Sequence, residues 1–292
     1  MSTRSTHSTI LVAVDGSPES DAAVVWAARE SVLREAPVIL MHVIAPALVS
    51  VPVEPMFRVP DWYENSARHL LRHAEQDFQS SLAQPLAGDL RLVIDHGNPV
   101  ATLVEASKDT QMVVVGSRGL GAFGRLALGS VSTGLLHHAH CPVAVVRVGA
   151  DPRGVDAPVV VGVDASPASK AATALAFDEA CRRGVDLVAL HACSDGDVSA
   201  ALRNDRRELE ARASDLLNDR LRGWQELYPG TRVHRRIVRD NPAHSLTEES
   251  SHAQLVVVGS RGRGGLARTL LGSTSSLVAQ RSSAPVIVVR NR

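Results

Sequence analysis

The sequence repeats one glycine pattern at two places about half a chain apart. The first copy reads Gly116-Ser-Arg-Gly119, nine residues, then Gly129-Ser130, and the second reads Gly259-Ser-Arg-Gly262, nine residues, then Gly272-Ser273. Each copy follows an apolar, β-branched run and precedes a stretch with helical character. Because a glycine loop between a strand and a helix can direct backbone N–H groups at an anion, the repeat predicts two phosphate-binding loops.

The rest of the two halves aligns as well. Ile10 to Pro18 matches Val159 to Pro167 at an offset of 149, and Asn98-Pro99 matches Asn241-Pro242 at an offset of 143. The first half carries its six extra residues in Ala45 to Pro60, which we interpret as a surface loop because proline suits neither helix interiors nor central strands. At roughly 150 residues per domain, we expect domains over 1–150 and 151–292, with a Gly/Pro/Asp-rich linker at 149–158 between the repeats.

Each half alternates short β-branched runs with longer helical stretches. In the first half the helices are predicted over Ser20 to Glu35, Trp62 to Gln84, Val100 to Lys108 and Ser130 to His138. This alternation is typical of parallel strands joined by right-handed crossovers, and runs such as Met112 to Val115 indicate strands covered on both faces. The sequence therefore predicts an α/β fold of two tandem doubly wound domains, each a five-stranded parallel sheet in the order 3-2-1-4-5 with helices on both faces.

Composition argues against several classes of partner. Basic and acidic residues number 31 each, so no overall field favours nucleic acid or an anionic membrane. The sequence has no apolar run of about 20 residues and no apolar signal segment at its start, which predicts neither membrane insertion nor secretion. Three cysteines without paired spacing favour a reducing compartment, and we expect a cytoplasmic protein.

The predicted strand order brings the repeated motifs to one crevice in each half. Asp15 ends strand 1 and Gly116 ends strand 4, and ligands of doubly wound sheets bind at the carboxyl ends of such neighbouring strands. A carboxylate accepts hydrogen bonds from ribose hydroxyls, glycines allow phosphates to approach the backbone, and serines at a helix start offer hydroxyl donors. Adenine would lie against the end of strand 2, where the backbone of Val43, or of Ala192 in the second half, could read its edge.

The predicted nucleotide-binding residues form two matched sets. The first is Asp15, Val43, Gly116, Arg118, Gly119, Gly129, Ser130, Val131 and Ser132; the second is Asp164, Ala192, Gly259, Arg261, Gly262, Gly272, Ser273, Thr274 and Ser275. An alternative interpretation makes Asp15 and Asp164 turn residues that cap the next helix, and leaves Arg118 and Arg261 solvated. No catalytic residue and no metal ligand is assigned, because adjacent histidines in the tract from His137 to Cys141 would point in different directions on a helix.

Several motifs together resemble the universal stress protein family: Asp15-Gly-Ser-Pro18, Asn98-Pro99, the glycine pattern and Cys141-Pro142-Val143. The resemblance covers nearly the whole chain as a tandem of two such domains. The glycine pattern is similar to that of the ATP-binding branch, and the Arg-rich tandem resembles actinobacterial members, such as those of mycobacteria, that are tied to hypoxia, dormancy and growth control.

The resemblance also implies ligand contacts and assembly. It puts ribose on Asp15, adenine near Val43 and phosphates on Gly116, Gly119, Gly129 and Ser130, with the matched residues forming the second site. Ala165 stands where the first copy has Gly16, so we expect unequal affinities. The resemblance further implies that Val143 to Arg147 pairs with Val286 to Arg290 as an intramolecular pseudo-dimer, and that two chains form a homodimer.

We therefore expect an ATP-binding stress-response regulator that takes up to two adenine nucleotides per chain, with Mg²⁺ accompanying ATP. The loops lack the Gly-Lys-Ser/Thr of a P-loop, and no second carboxylate stands beside them, so hydrolysis is expected to be slow or absent. The alternatives are a slow ATPase or autophosphorylating protein, and a structural interaction module without nucleotide. A flavin or electron-transfer protein would leave Asp15 and the matched loops unexplained. The sequence identifies neither a regulatory protein partner nor the inducing stress.

Overall fold

The structure, a computed structural model, describes residues 9–46, 61–86, 88–120, 128–150, 154, 156–193, 206–262 and 271–290. The chain divides into two compact units, Met1–Val146 and Arg147–Arg292. The predicted Pro-rich loop lies largely outside the described residues. In the described part of the chain, no helix is both long and apolar enough to cross a membrane.

The first unit is a five-stranded parallel sheet flanked by helices. Its strands are β1 (Ile10–Ala13), β2 (Val38–Ile44), β3 (Leu90–His96), β4 (Met112–Gly116) and β5 (Val143–Val146), in the order β3-β2-β1-β4-β5. Its helices are α1 (Pro18–Arg34), α2 (Asp61–Ser80), α3 (Pro99–Ala106) and α4 (Ser130–His138). All of β1 is buried, as expected for a central strand covered on both faces.

The second unit repeats this arrangement. Its strands are β6 (Val159–Gly162), β7 (Leu187–Ala192), β8 (Val233–Val238), β9 (Leu255–Gly259) and β10 (Val286–Val289), in the order β8-β7-β6-β9-β10. Its helices are α5 (Pro167–Arg183), α6 (Arg206–Leu227), α7 (Pro242–Glu249) and α8 (Ser273–Arg281). The predicted fold, two doubly wound α/β domains, is confirmed.

Side chains set where four of the helices begin. Ser17 Oγ accepts a hydrogen bond from Ser20 N at 3.2 Å, and Asn98 Oδ1 accepts one from Ala101 N at 3.1 Å. Proline follows each cap at a position where its missing N–H is not needed. The second unit repeats both devices, so the capped helices are α1, α3, α5 and α7, with the caps Ser17, Asn98, Ser166 and Asn241.

Glycine at the end of the fourth strand allows the first helix of each unit to pack closely. A Cβ on Gly116 would lie 2.6 Å from the carbonyl carbon of Glu19, and a Cβ on Gly259 would lie 2.7 Å from that of Ala168. No side chain fits at such distances. This close contact places the N-terminus of α1, which follows Asp15, beside the start of the first glycine loop. The N-terminus of α5, which follows Asp164, has the same position in the second unit.

Candidate functional site

A cleft of about 500 Å³ lies in the first unit where β1, β2 and β4 end. This volume falls within the range of about 300–1,000 Å³ usual for small-molecule sites. All nine residues that the sequence predicted for the first half line the cleft: Asp15, Val43, Gly116, Arg118, Gly119, Gly129, Ser130, Val131 and Ser132. The strand order thus brings together residues separated by about a hundred positions.

The two carboxylate oxygens of Asp15 have different surroundings. Oδ1 accepts hydrogen bonds from Ser17 N at 3.0 Å and from Ser17 Oγ at 2.6 Å. Oδ2 lies beside Gly119, where an added Cβ would stand only 2.3 Å away, and no described residue donates a hydrogen bond to it. The turn-residue interpretation therefore accounts for one oxygen, while the other keeps its capacity to accept hydrogen bonds.

Helix α4 starts without a side-chain cap. Gly129 occupies the cap position, and its own N–H donates to Ser117 O at 2.9 Å. The first bond of the helix runs from Thr133 N to Gly129 O, so the N–H groups of Ser130, Val131 and Ser132 have no acceptor within the helix. These groups carry the positive end of the helix dipole and stand at the cleft.

Two side chains predicted to meet phosphate are engaged within the protein. Ser132 Oγ donates a 2.7 Å hydrogen bond to Gly116 O, so this hydroxyl fastens α4 to the end of β4. Arg118 Nη2 forms an ion pair with Glu19 Oε1, and the two side chains are 27% and 11% exposed. Ser132 therefore offers the cleft its backbone N–H, and the charge of Arg118 is largely balanced by Glu19. The expectation that no second carboxylate stands beside the loops is wrong for the first unit, because α1 packs against Gly116 and brings Glu19 to Arg118.

The second unit repeats the geometry at Asp164. Oδ1 accepts from Ser166 N at 2.8 Å, and Oδ2 would stand 2.8 Å from a Cβ on Gly262. Helix α8 begins after Gly272 without a side-chain cap. Its first three residues are Ser273, Thr274 and Ser275, which the sequence predicted for this site. Ser275 Oγ donates to Ser260 O at 3.1 Å, and Ala192 is the last residue of β7. Gly259 and Arg261 frame the start of the loop, whose residues 263–270 lie outside the described chain.

Comparison with known proteins establishes the family. The sequence pattern of the universal stress protein family matches residues 6–147 and 157–290. The chain belongs to the universal stress protein family. A universal stress protein of Mycolicibacterium smegmatis is 52% identical over 287 residues, covering 97% of each chain. One of Mycobacterium tuberculosis is 46% identical over 286 residues, covering 96% of each chain. The resemblance to this family, as a tandem of two domains, is thereby confirmed.

A solved structure supports the fold of this universal stress protein over its full length. The crystal structure of a universal stress protein from Archaeoglobus fulgidus aligns with a TM-score of 0.71 and 23% identity, covering 98% of this chain and 99% of that chain. The tandem arrangement of two universal stress protein domains therefore follows from both sequence and fold.

The sequence analysis missed part of the cleft of this universal stress protein. Ser20 Oγ accepts from Asp15 N at 3.2 Å, as Ser169 Oγ does from Asp164 N at 2.8 Å. Both serines repeat in the two halves, which was a usable signal. An apolar wall adds Met41, Pro99, Leu103, Leu120 and Leu128. Pro99 belongs to the repeated Asn98-Pro99 motif and shares α3 with Leu103, but Met41 comes from β2 and the other two leucines from the glycine loop, so no single pattern groups the wall.

His42 in β2 and His191 in β7 have a structural role, because each ring contacts a backbone carbonyl. His42 Nδ1 lies 2.7 Å from Val14 O, and His191 Nδ1 lies 2.7 Å from Val163 O. Elsewhere in the described chain, potential metal-ligand atoms of Asp21, His73 and Asp77 lie within 4.8 Å of one another on α1 and α2. The second half has Lys170 in place of Asp21, so this group is not part of the repeated site.

Proposed function

We propose that this universal stress protein binds adenine nucleotides at its two repeated sites, up to two per chain, and acts as a nucleotide-dependent regulator in the adaptation to stress. The observation that carries the proposal is the contrast among helix starts. Ser or Asn side chains cap α1, α3, α5 and α7, whereas α4 and α8 begin uncapped after the glycine loops. Uncapped N–H groups suit an anion, and a carboxylate oxygen beside the loop suits a hydroxyl donor.

The residues of the first cleft fit a nucleoside phosphate. The N–H groups of Ser130, Val131 and Ser132 would hold phosphate oxygens, and Oδ2 of Asp15 would accept from the ribose hydroxyls. The apolar wall around Met41 and Leu103, with the end of β2 at Val43, would hold the base. A phosphate could not take the place of the ribose, because the carboxylate would repel it. ATP would bring Mg²⁺ on its phosphates, where the cation offsets part of their negative charge.

We propose that binding, rather than turnover, is the function. Among the residues that line the described cleft, Asp15 alone carries a carboxylate, and we assign that carboxylate to the ribose. Phosphoryl transfer depends on a positioned water or acceptor and on cations that neutralise charge developing in the transition state. The alternatives to binding alone are slow hydrolysis of ATP and phosphorylation of Ser130. Cytoplasmic location, pairing of the last strands and homodimer formation stay predictions.

Calorimetric titration of nucleotide-stripped protein with ATP and Mg²⁺ tests the proposal. Asp15→Ala and Asp164→Ala are each expected to abolish one of two binding events, and Asp178→Ala, on the surface of α5, is the matched control. Phosphate release is assayed in the same samples. Rapid release that is lost with the same substitutions would identify an ATPase, and absence of binding in the unsubstituted protein would leave an interaction module.

A further inference from the structure

The residue that follows each proposed ribose carboxylate has a different backbone conformation in the two units. Gly16, which follows Asp15, has a φ of +78°, in the left-handed region that favours glycine. Ala165, which follows Asp164, lies outside that region. The short turns that lead from the carboxylates into the first helices, residues 15–17 and 164–166, therefore follow different paths. We call them the carboxylate turns.

A side chain from the second helix of each unit contacts the carboxylate turn, and its chemistry differs between the units. In the first unit, Leu70 of α2 lies over Gly16, where an added Cβ would stand 3.0 Å from Leu70 Cδ1. In the second unit, Arg220 of α6 donates a hydrogen bond from Nη2 to Ala165 O at 3.1 Å. The two side chains occupy matching places, because each contacts the residue that follows the carboxylate. An apolar contact in one unit thus corresponds to a hydrogen bond from a charged group in the other.

The two combinations of residues cannot be exchanged one residue at a time. Alanine at position 16 would be strained by the left-handed φ, and its Cβ would approach Leu70 more closely than carbon atoms normally pack. Leucine at position 220 has no donor, so Ala165 O would lose its bond to α6. Each carboxylate turn therefore depends on its own pair, Gly16 with Leu70 or Ala165 with Arg220.

The carboxylate of the second unit also has fewer donors within its own turn. Among the described residues, Asp164 Oδ1 accepts one hydrogen bond, from Ser166 N at 2.8 Å. Asp15 Oδ1 accepts two, from the N–H and the hydroxyl of Ser17. The position of Asp164 is therefore set less by its own turn, and a tie from that turn to a neighbouring helix has more effect.

Resting on the proposed function, we propose that Arg220 is a positioning residue of the second nucleotide site. Its hydrogen bond to Ala165 O holds the carboxylate turn so that Asp164 faces the ribose, as Gly16 and Leu70 do for the first site. Arg220 acts on the nucleotide through Asp164 and makes no contact with phosphate. Helix α6 thereby determines the affinity of the second site through a charged donor that the first site lacks.

The positioning role is tested with the second site isolated in the full chain by Asp15→Ala and titrated calorimetrically with ATP and with adenosine. Arg220→Leu should lower both affinities by a similar factor, on the order of three- to tenfold, because both ligands share the ribose contact. Arg220→Lys keeps a donor and should retain most of the affinity. Arg222→Leu is the matched control, since it is the same substitution in the same helix at a side chain that is 72% exposed.

Exchanging the pairs tests whether the two residues of each pair act together. Ala165→Gly combined with Arg220→Leu gives the second turn both residues of the first, and should restore the affinity that Arg220→Leu loses. In the Asp164→Ala chain, which keeps the first site, Gly16→Ala should lower ATP affinity by about tenfold or more. Adding Leu70→Arg should recover part of that loss. A general loss of fold stability would not produce such repair by a second substitution.

The outcomes separate this inference from the proposed function. Unchanged second-site affinity in Arg220→Leu, or a loss that Ala165→Gly does not repair, would overturn the positioning role while leaving nucleotide binding intact. A loss much larger for ATP than for adenosine would also overturn it, because Arg220 would then contact phosphate directly. Failure of the unsubstituted chain to bind either ligand would overturn the proposed function, and the inference would fall with it.

Discussion

Gly119 and Gly262 leave no room for a side chain beside the carboxylates that they face. An added Cβ would stand 2.3 Å from Asp15 Oδ2 and 2.8 Å from Asp164 Oδ2. Carbon and oxygen atoms without a bond between them do not approach so closely, so either the carboxylate or the loop would have to move. Glycine is required here by close approach, independently of backbone conformation.

Gly119→Ala should therefore lower nucleotide affinity at the first site by about tenfold or more, because the displaced carboxylate would lose the ribose contact proposed for it. The second site should be unchanged. Gly223→Ala is the control, since a Cβ there meets no atom within 4 Å; in the interior of α6 it should stabilise the fold by up to about 1 kcal/mol. Calorimetric titration and urea unfolding measure the two effects, and unchanged affinity in Gly119→Ala would contradict the assignment of Asp15.

At this scale, the repeat determined what could be predicted. Asp15 and Gly119 have matched partners in the second half, so two copies identified them where one would have indicated only a turn. Glu19 has no such match, and its contact with Arg118 spans 99 residues of sequence. A contact between distant residues that occurs in one copy leaves no periodic or spacing signal, which is why the neutralised arginine became visible only in the fold.

Helix α5 carries two ion pairs of the same spacing in different surroundings. Arg182 pairs with Asp178 at 2.8 Å with both side chains about one third exposed, at 38% and 32%. Arg183 pairs with Glu179, and these side chains are 6% and 0% exposed. Both pairs have the same spacing on one helix, so burial is the main difference between them, beside the one methylene that separates aspartate from glutamate.

Glu179→Ala should lower the free energy of unfolding by about 3–5 kcal/mol, because it leaves the Arg183 guanidinium buried without its carboxylate. Asp178→Ala should lower it by less than about 1 kcal/mol, since both of its charges reach water. Urea unfolding of the two variants provides the comparison. Similar losses in both would show that burial does not determine the strength of these pairs.

Asp21 on α1 should make stability depend on pH. Burial, and then the charge of Asp77, raise the pKa of Asp21, with His73 opposing the effect. A raised carboxyl pKa in the folded state means that the contribution of Asp21 is fully present below the ordinary carboxyl pKa and is lost as pH rises through the folded value. Charged Asp21 is thus unfavourable at neutral pH.

Asp21→Asn should accordingly be more stable than the unsubstituted protein at pH 7, by less than about 1 kcal/mol because the site is partly solvated. The advantage should shrink as pH falls below the ordinary carboxyl range. Asp219→Asn is the control, because that carboxylate is 75% exposed. Unfolding measured from pH 3 to pH 8 tests the sign, and an advantage that grows in acid would be inconsistent with it.

The ends of a helix could be predicted where a local sequence feature determines them. Helix α4 spans Ser130–His138 as predicted, because glycine ends the loop before it. The predicted end of α2 at Gln84 was wrong, since the helix ends at Ser80. The hydroxyls of Ser80 and Ser81 donate to Asp77 O at 3.0 and 2.7 Å, which satisfies a carbonyl of the last turn and competes with continuation of the helix.

For the molecule as a whole, duplication made the fold predictable. Strands and helices alternate twice in the same order, and two matched sets of motifs fix where strands 1 and 4 end. The apolar wall of the cleft follows no such pattern, because it combines the buried Met41 and Leu103 with Leu120, which is 77% exposed. The net charge of zero likewise conceals local pairing, since it does not show that Arg118 meets Glu19 from 99 residues away.

The two proposed sites per chain predict how much ATP should stabilise the protein. Ligand that binds only the folded state adds about 2.7 kcal/mol per site at a concentration one hundred times the Kd. Summed over both units, the gain in unfolding free energy should be about twice that of a chain with one working site. Asp15→Ala or Asp164→Ala should each remove one site's share, and the double variant should gain nothing from ATP.

Urea unfolding with and without ATP and Mg²⁺ measures these gains. Asp178→Ala is the control for a substitution that lowers stability without touching either site, and ATP should stabilise it as much as the unsubstituted chain. A gain that persists in the double variant would locate ATP outside the two clefts. If either single substitution abolished the whole gain, each site would bind ATP only when the other is occupied. Coupling between two binding sites is reciprocal, so loss of either site would then prevent binding at both.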